Sequence, residues 1–169
     1  MAAPAWHRTP ILAHAQRLER IGVAYPAPMD VFEALRDVAG DVFVDRPVTF
    51  AYLFGSHARG EARSDSDIDI AVHLDRSAKP EDFLSLGLRL AGELAYRARV
   101  GPIDGVVVLN DAPLRLVGRV LADRLVIYSR DDVARVRFEV QMRARALDFE
   151  PRAAALDRQL LRRMAAGDR

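Results

Sequence analysis

The sequence has no cysteine, one tryptophan, four histidines and a single lysine, Lys79. Without Cys there is no disulfide framework, no thiolate nucleophile and no Cys-ligated zinc. His7, His14, His57 and His73 are scattered, so a metal site built from His alone is not expected. No apolar run approaches the roughly 20 residues that cross a bilayer. The opening MAAPAWHRTPILAHAQRLER has no charged start leading into a hydrophobic signal core. A cytoplasmic protein with no membrane partner is expected. An excess of one charge is missing too: 25 basic residues face 24 acidic ones, a net +1. No global field therefore draws the chain to nucleic acid, and no motif for sequence-specific nucleic-acid binding is found.

What is present suits one globular domain. Half of the 169 residues are hydrophobic and 29% are charged, at a mean hydropathy of -0.04, far from the disordered and membrane extremes. The charge balance hides an asymmetry. Between Arg135 and Arg169 nine Arg face five acidic residues, so this stretch is either the solvated face of terminal helices or a surface for an acidic partner.

Pro26 and Pro28 mark a soft boundary between an N-terminal appendage, residues 1–28, and the main body, residues 29–130. Asp30 caps a helix with Val31, Phe32, Leu35 and Val38 on one stripe, ended by Gly40. Val48 to Phe54 reads as a buried strand, and the polar stretch from Gly55 to Ser64 as a loop with room for one helical turn. From Asp67 to Leu74 the residues Ile68, Ile70, Val72 and Leu74 alternate with the others, the period of a strand. Pro80 opens a helix to about Arg99 with Phe83, Leu86, Leu90 and Leu94 inward, and a third strand is expected from Ile103 to Leu109. A helix carrying Leu114, Val117, Val120 and Leu121 and a strand from Leu125 to Tyr128 complete the body. Two further helices, Asp131 to about Leu147 and Pro151 to about Met164, form a C-terminal helical extension, residues 131–169. The alternation of elements gives an α/β (α+β) body.

The chemistry is concentrated in Phe54-Gly55-Ser56 and Asp67-Ile68-Asp69. Strand alternation puts Asp67 and Asp69 on one face with Cα atoms roughly 6.5 Å apart. Two carboxylates facing the same way on a half-buried strand are costly unless something compensates them. Two hard cations about 3.5–4 Å apart, held by shared carboxylates, are what an in-line phosphoryl displacement uses. An all-oxygen ligand set favours magnesium over zinc. Gly55-Ser56, directly after a buried strand, offers a tight turn whose backbone N–H groups and hydroxyl can hold a phosphate.

The pattern Gly55-Ser56, ten residues, then Asp67-x-Asp69 resembles the signature of the polymerase-β-like nucleotidyltransferase superfamily. The wording GSHARGEARSDSDIDIAV is similar to its minimal nucleotidyltransferase branch. The resemblance covers about Asp30 to Arg130 and continues through Arg137-Phe138-Glu139 to Leu147-Asp148-Phe149-Glu150, stretches like those that follow the core in antitoxins paired with a HEPN-domain ribonuclease toxin. It implies a mixed sheet flanked by helices and transfer of a nucleoside monophosphate with release of pyrophosphate, supported by two Mg2+ ions. In the antitoxin branch the donor is ATP and the acceptor a Tyr hydroxyl of the toxin, with which a hetero-oligomer can form. Carried over residue by residue, Gly55 and Ser56 hold the triphosphate, Arg59 adds positive charge to it, and Asp67 and Asp69 bind metal. Asp104 best matches the third carboxylate, as ligand and general base.

The strand of Asp104 departs from the family wording. Gly105 stands beside it, a second Asp is missing, and one extra residue precedes Ala112-Pro113. Either Asp104 leaves its proper face or a bulge at Gly105 absorbs the extra residue. Arg63 and Asp65 read as a solvated charge and a loop residue. His57 beside Ser56 makes no hydrolase triad, because neighbouring side chains on a turn diverge and no orienting acid follows. Arg8 and His14 are spaced as in some HEPN ribonuclease motifs, but Pro10 interrupts them. Two other readings are a module that silences its partner by contact, through the C-terminal helices, and transfer to a small hydroxylated molecule such as an aminoglycoside. The absence of a separate substrate domain disfavours the latter.

Overall fold

Seven consecutive buried residues, Val48–Phe54, form the strand around which the chain is arranged. The computed structural model describes residues 30–63 and 65–165, and side-chain surroundings for residues 31–63 and 65–149. The expected N-terminal appendage, with Arg8 and His14, lies outside the described residues. In chain order the elements are α1 (Asp30–Phe43), β1 (Val48–Phe54), α2 (Gly55–Arg59), β2 (Asp69–Leu74), α3 (Phe83–Ala98), β3 (Val106–Val108), α4 (Leu114–Asp123), β4 (Leu125–Ser129) and α5 (Asp132–Ala165).

The sheet has the order β3-β2-β1-β4. β1 runs antiparallel to both β2 and β4, while β2 and β3 are parallel, joined by the crossover through α3. The expected mixed sheet flanked by helices is therefore present. Alternation along β1 sends Ala51 and Leu53 to one core and Phe50, Tyr52 and Phe54 to the other. The first core is closed by Val31, Leu35 and Phe43 of α1 with Leu86, Leu90 and Leu94 of α3. The second is closed by Val117, Val120 and Leu121 of α4, with Phe138 and Met142 of α5 packed against it. At Gly87 a Cβ would stand 2.9 Å from the carbonyl oxygen of Val106, so this glycine lets α3 lie directly on β3.

Outside the site, several boundaries differ from those the sequence pattern predicts. Helix α1 does not stop at Gly40 but continues to Phe43. Glycine in a helix costs about 1 kcal/mol, whereas the added turn buries Val42 and Phe43 completely, about 1.5–3 kcal/mol for each side chain. The third strand is only Val106–Val108, not Ile103 to Leu109. Ile103 is buried in the α1/α3 core, and the half-buried Val106 and Val108 pack against that same core. One step of alternation is thus lost between Ile103 and Val106, at Asp104-Gly105, where glycine was expected to accommodate an extra residue. Finally, the two expected C-terminal helices are one helix of 34 residues, about 51 Å long. Pro151 removes a single backbone hydrogen bond, while a break would leave two helix ends with unpaired carbonyl and N–H groups.

A polar cluster joins α5 to the sheet. Glu139, 7% exposed, accepts hydrogen bonds on Oε1 from the Tyr52 hydroxyl and from Nη1 of Arg135, both 2.9 Å long, and pairs with Arg124 through Oε2. Burial pushes the Glu139 carboxyl up, but the bonds from Arg124, Tyr52 and Arg135 outweigh it and hold the group below its ordinary range. Among the described residues no helix is long and apolar enough to cross a membrane.

Candidate active site

Asp69 opens β2 directly opposite Phe54, the last residue of β1. The next residue on the β1 side is Gly55, where the chain turns into α2 with φ at +73°. A Cβ built on Gly55 would lie 2.2 Å from Oδ2 of Asp69. Glycine is required here twice over, because the left-handed backbone disfavours any side chain and the Asp69 carboxylate fills the space one would occupy. The strand–turn–helix at Gly55-Ser56 and the carboxylate of Asp69 therefore form one compact corner.

Asp67 was expected inside the strand, but β2 begins only at Asp69. The reason is that β1 ends at Phe54, so no partner backbone remains for residues 67 and 68 to pair with. Ile68 is nonetheless buried, 4% exposed, and anchors the segment between the two acids. Asp67 is exposed and Asp69 half-buried. The Asp69 carboxyl is pushed up, first by burial and then by the negative charge of Asp67. A desolvated carboxylate beside a second one, at the rim of a glycine turn, is a donor pair suited to a hard divalent cation.

The remaining residues fall into place unevenly. Asp104 is exposed and belongs to no strand. Among the described residues no three His, Cys, Asp or Glu side chains form a group able to hold an ion, so Asp104 does not join Asp67 and Asp69 in one cluster. Ser56 is half-buried in the first turn of α2, and its carbonyl accepts from the Glu61 N–H at 2.9 Å. Arg59 is held at Nε by Glu61, at 2.7 Å, and at Nη1 by Asp123 of α4, at 2.6 Å. Nε2 of His57 donates to the Ser66 carbonyl at 3.3 Å, tying α2 to the loop before Asp67. It is a brace for the loop and not the base of a triad. Arg63 and Asp65 are exposed, as expected.

The profile of the polymerase beta nucleotidyltransferase family matches residues 41–133, more than half of the chain. This chain belongs to that family. As a polymerase beta nucleotidyltransferase it carries the glycine turn and the carboxylate pair inside the matched segment. Solved structures with the same fold include a toxin–antitoxin with AMP-PNP, 19% identical, at a TM-score of 0.57 over 77% of this chain and 98% of that one. A second is a tri-AMPylated Shewanella oneidensis HEPN toxin in complex with MNT antitoxin, also 19% identical, with a TM-score of 0.57 and the same coverage, 77% and 98%. A third, the toxin–antitoxin MntA–HepT, is 17% identical at a TM-score of 0.54 over 79% of this chain and 98% of that one. No curated protein sequence matches the chain.

The positive charges of Arg119 on α4, His57 and Arg59 oppose the rise of the Asp69 carboxyl caused by burial and Asp67, and Arg119 is not among the residues the sequence pattern singles out. The available signal was the spacing Arg115, Arg119, Asp123, which in sequence looks like the outer face of an amphipathic helix.

Proposed function

We propose that this chain is a magnesium-dependent nucleotidyltransferase antitoxin that transfers AMP from ATP to a tyrosine of a cognate HEPN ribonuclease toxin in the cytoplasm. The observation that carries the reading is the corner of Gly55, Ser56, Asp67 and Asp69, in which the Asp69 carboxylate occupies the place of the side chain Gly55 lacks. The AMP-PNP and the tri-AMPylated toxin of the structural neighbours support the choice of donor and acceptor.

In this reading Asp67 and Asp69 are the residues that would hold magnesium, the hard cation their oxygen donors suit. The ions supply charge neutralisation at the transferring phosphate and a lowered pKa of the acceptor hydroxyl. Backbone N–H groups at Gly55-Ser56 and the Ser56 hydroxyl orient the triphosphate. The acceptor oxygen bonds to the α-phosphorus, the bond from that phosphorus to the oxygen bridging to the β-phosphate breaks, and pyrophosphate leaves. Asp104 takes the proton of the hydroxyl. What supports this role is that Asp104 lies two residues before Val106, which pairs with Ile70, the residue next to Asp69. The chain is then organised as a nucleotidyltransferase domain over residues 29–130 followed by a helical extension over 131–169.

Intact-mass spectrometry of the toxin after incubation with this protein, ATP and magnesium tests the proposal. Each AMP adds about 329 Da, and the additions vanish with Asp67→Ala/Asp69→Ala. An unchanged toxin mass under conditions where the two proteins bind would overturn it. A second reading, silencing by contact, is favoured by the exposed Val133, Val136, Val140 and Leu147 of α5. It requires that Asp67→Ala/Asp69→Ala still neutralise the toxin.

A further inference from the structure

Arg115, Arg119 and Asp123 are spaced four residues apart on α4 and so form one stripe along the helix. The end of this stripe is fixed at the site, because Asp123 Oδ2 lies 2.6 Å from Nη1 of Arg59 on α2. The other sides of α4 are committed. Val117, Val120 and Leu121 are buried in the core, and Gly118 faces Ala146 of α5 at 3.4 Å from its would-be Cβ. Arg119, one turn before Asp123, is exposed. Helix α4 covers the sheet face that carries Phe54 and Ala71, and alternation along β2 puts Asp69 on that same face. Arg119 thus stands on the α4 wall of the corner built by Gly55 and Asp69.

We propose that Arg119 is the guanidinium that holds the β- and γ-phosphates of the donor nucleotide, the portion that departs as pyrophosphate. The inference rests on the nucleotidyltransferase reading above. The chemistry requires a cation there, since the leaving group gains negative charge as its bond to the α-phosphorus breaks, and a planar guanidinium engages phosphate through two parallel hydrogen bonds. Arg59, the cation of the motif itself, already spends two donors on Glu61 and Asp123. Arg119 has the reach of a long exposed side chain, and its distance from the core leaves the fold intact when it is replaced.

Titration calorimetry with magnesium and no acceptor separates the phosphate groups. For the wild type and for Arg119→Ala and Arg119→Lys, three probes are compared: ATP, inorganic pyrophosphate and AMP. Arg119→Ala is expected to weaken ATP and pyrophosphate about 10- to 100-fold, the effect of a charge-assisted hydrogen bond. AMP binding stays unchanged, and Arg119→Lys recovers part of the loss. In toxin transfer assays the same variant raises KM for ATP. Arg119→Ala binding ATP and pyrophosphate as tightly as wild type would overturn the assignment, as would an equal loss for AMP. A wild type that binds ATP but fails to modify the toxin would overturn the choice of acceptor alone. A wild type that binds no ATP would overturn the nucleotidyltransferase reading and this assignment with it.

Discussion

The phenol of Tyr52, in the middle of β1, donates a 2.9 Å hydrogen bond to Oε1 of Glu139 on the last helix. These residues are 87 positions apart. The bond joins the central strand to α5 beneath the surface, and Arg124 and Arg135 complete the shell around the carboxylate. Removing the hydroxyl leaves Glu139 two cationic partners, whereas removing the carboxylate takes from Arg124, about one-fifth exposed, its carboxylate partner and leaves Arg135 only Asp132. Tyr52→Phe is therefore expected to cost about 1 kcal/mol and Glu139→Ala about 2–4 kcal/mol. Urea unfolding monitored by circular dichroism measures both, and equal losses would contradict the central place given to Glu139.

Gly55→Ala introduces a methyl group where Oδ2 of Asp69 stands, 2.2 Å from the new Cβ, at a backbone φ of +73°. The carboxylate must move or the turn must open, so the donor pair and the phosphate turn cannot keep their relation. Transfer activity is expected to fall by at least about 100-fold, because a displacement of about 1 Å at a reacting centre has that effect. Stability falls by only about 1–3 kcal/mol. The comparison is kcat/KM against the urea midpoint of the same variant. An alanine variant with near-normal activity would show that Asp69 and Gly55 are not coupled in the reaction.

His73 sits on β2 with its ring stacked on Phe50 at 4.6 Å and tilted against Phe138 at 5.0 Å. Burial holds its imidazole below the ordinary value of 6.5, with Asp75 opposing the shift. The unfolded chain then takes up a proton at a higher pH than the folded one. Stability is fully present above pH 6.5 and is lost as the pH falls below it, until the folded imidazole also protonates. His73→Gln, which cannot titrate, is expected to flatten that part of the profile. Urea midpoints measured between pH 5 and 8 check this, and identical slopes for the two proteins would refute it.

Much of the site was legible in the chain. The residue types Gly55-Ser56 and Asp67-x-Asp69 carry their chemistry in their spacing, since a glycine after a buried strand and two acids around one buried Ile68 follow from local alternation. Around Asp104 the local pattern is less decisive. Its glycine neighbour signalled an irregularity, which is present, but local pattern does not state how far the preceding segment follows the strand. Arg119 and Glu139 were out of reach for a different reason. The charge of Arg119 acts on a carboxyl 50 positions earlier and Glu139 bonds a hydroxyl 87 positions earlier, and helix periodicity alone gives both the look of ordinary charged positions.

The strongly periodic elements, the mixed α/β character and the chemistry of the glycine turn and carboxylate pair are written in the chain locally, because each depends on residues within a few positions of one another. Packing of distant elements sets α4 over the sheet face that carries Ala71, brings Asp123 to Arg59 and joins Tyr52 to the long C-terminal helix. Such contacts arise when separate elements bury their apolar faces on the two sides of one sheet. Their polar partners are chosen by that packing and not by local spacing.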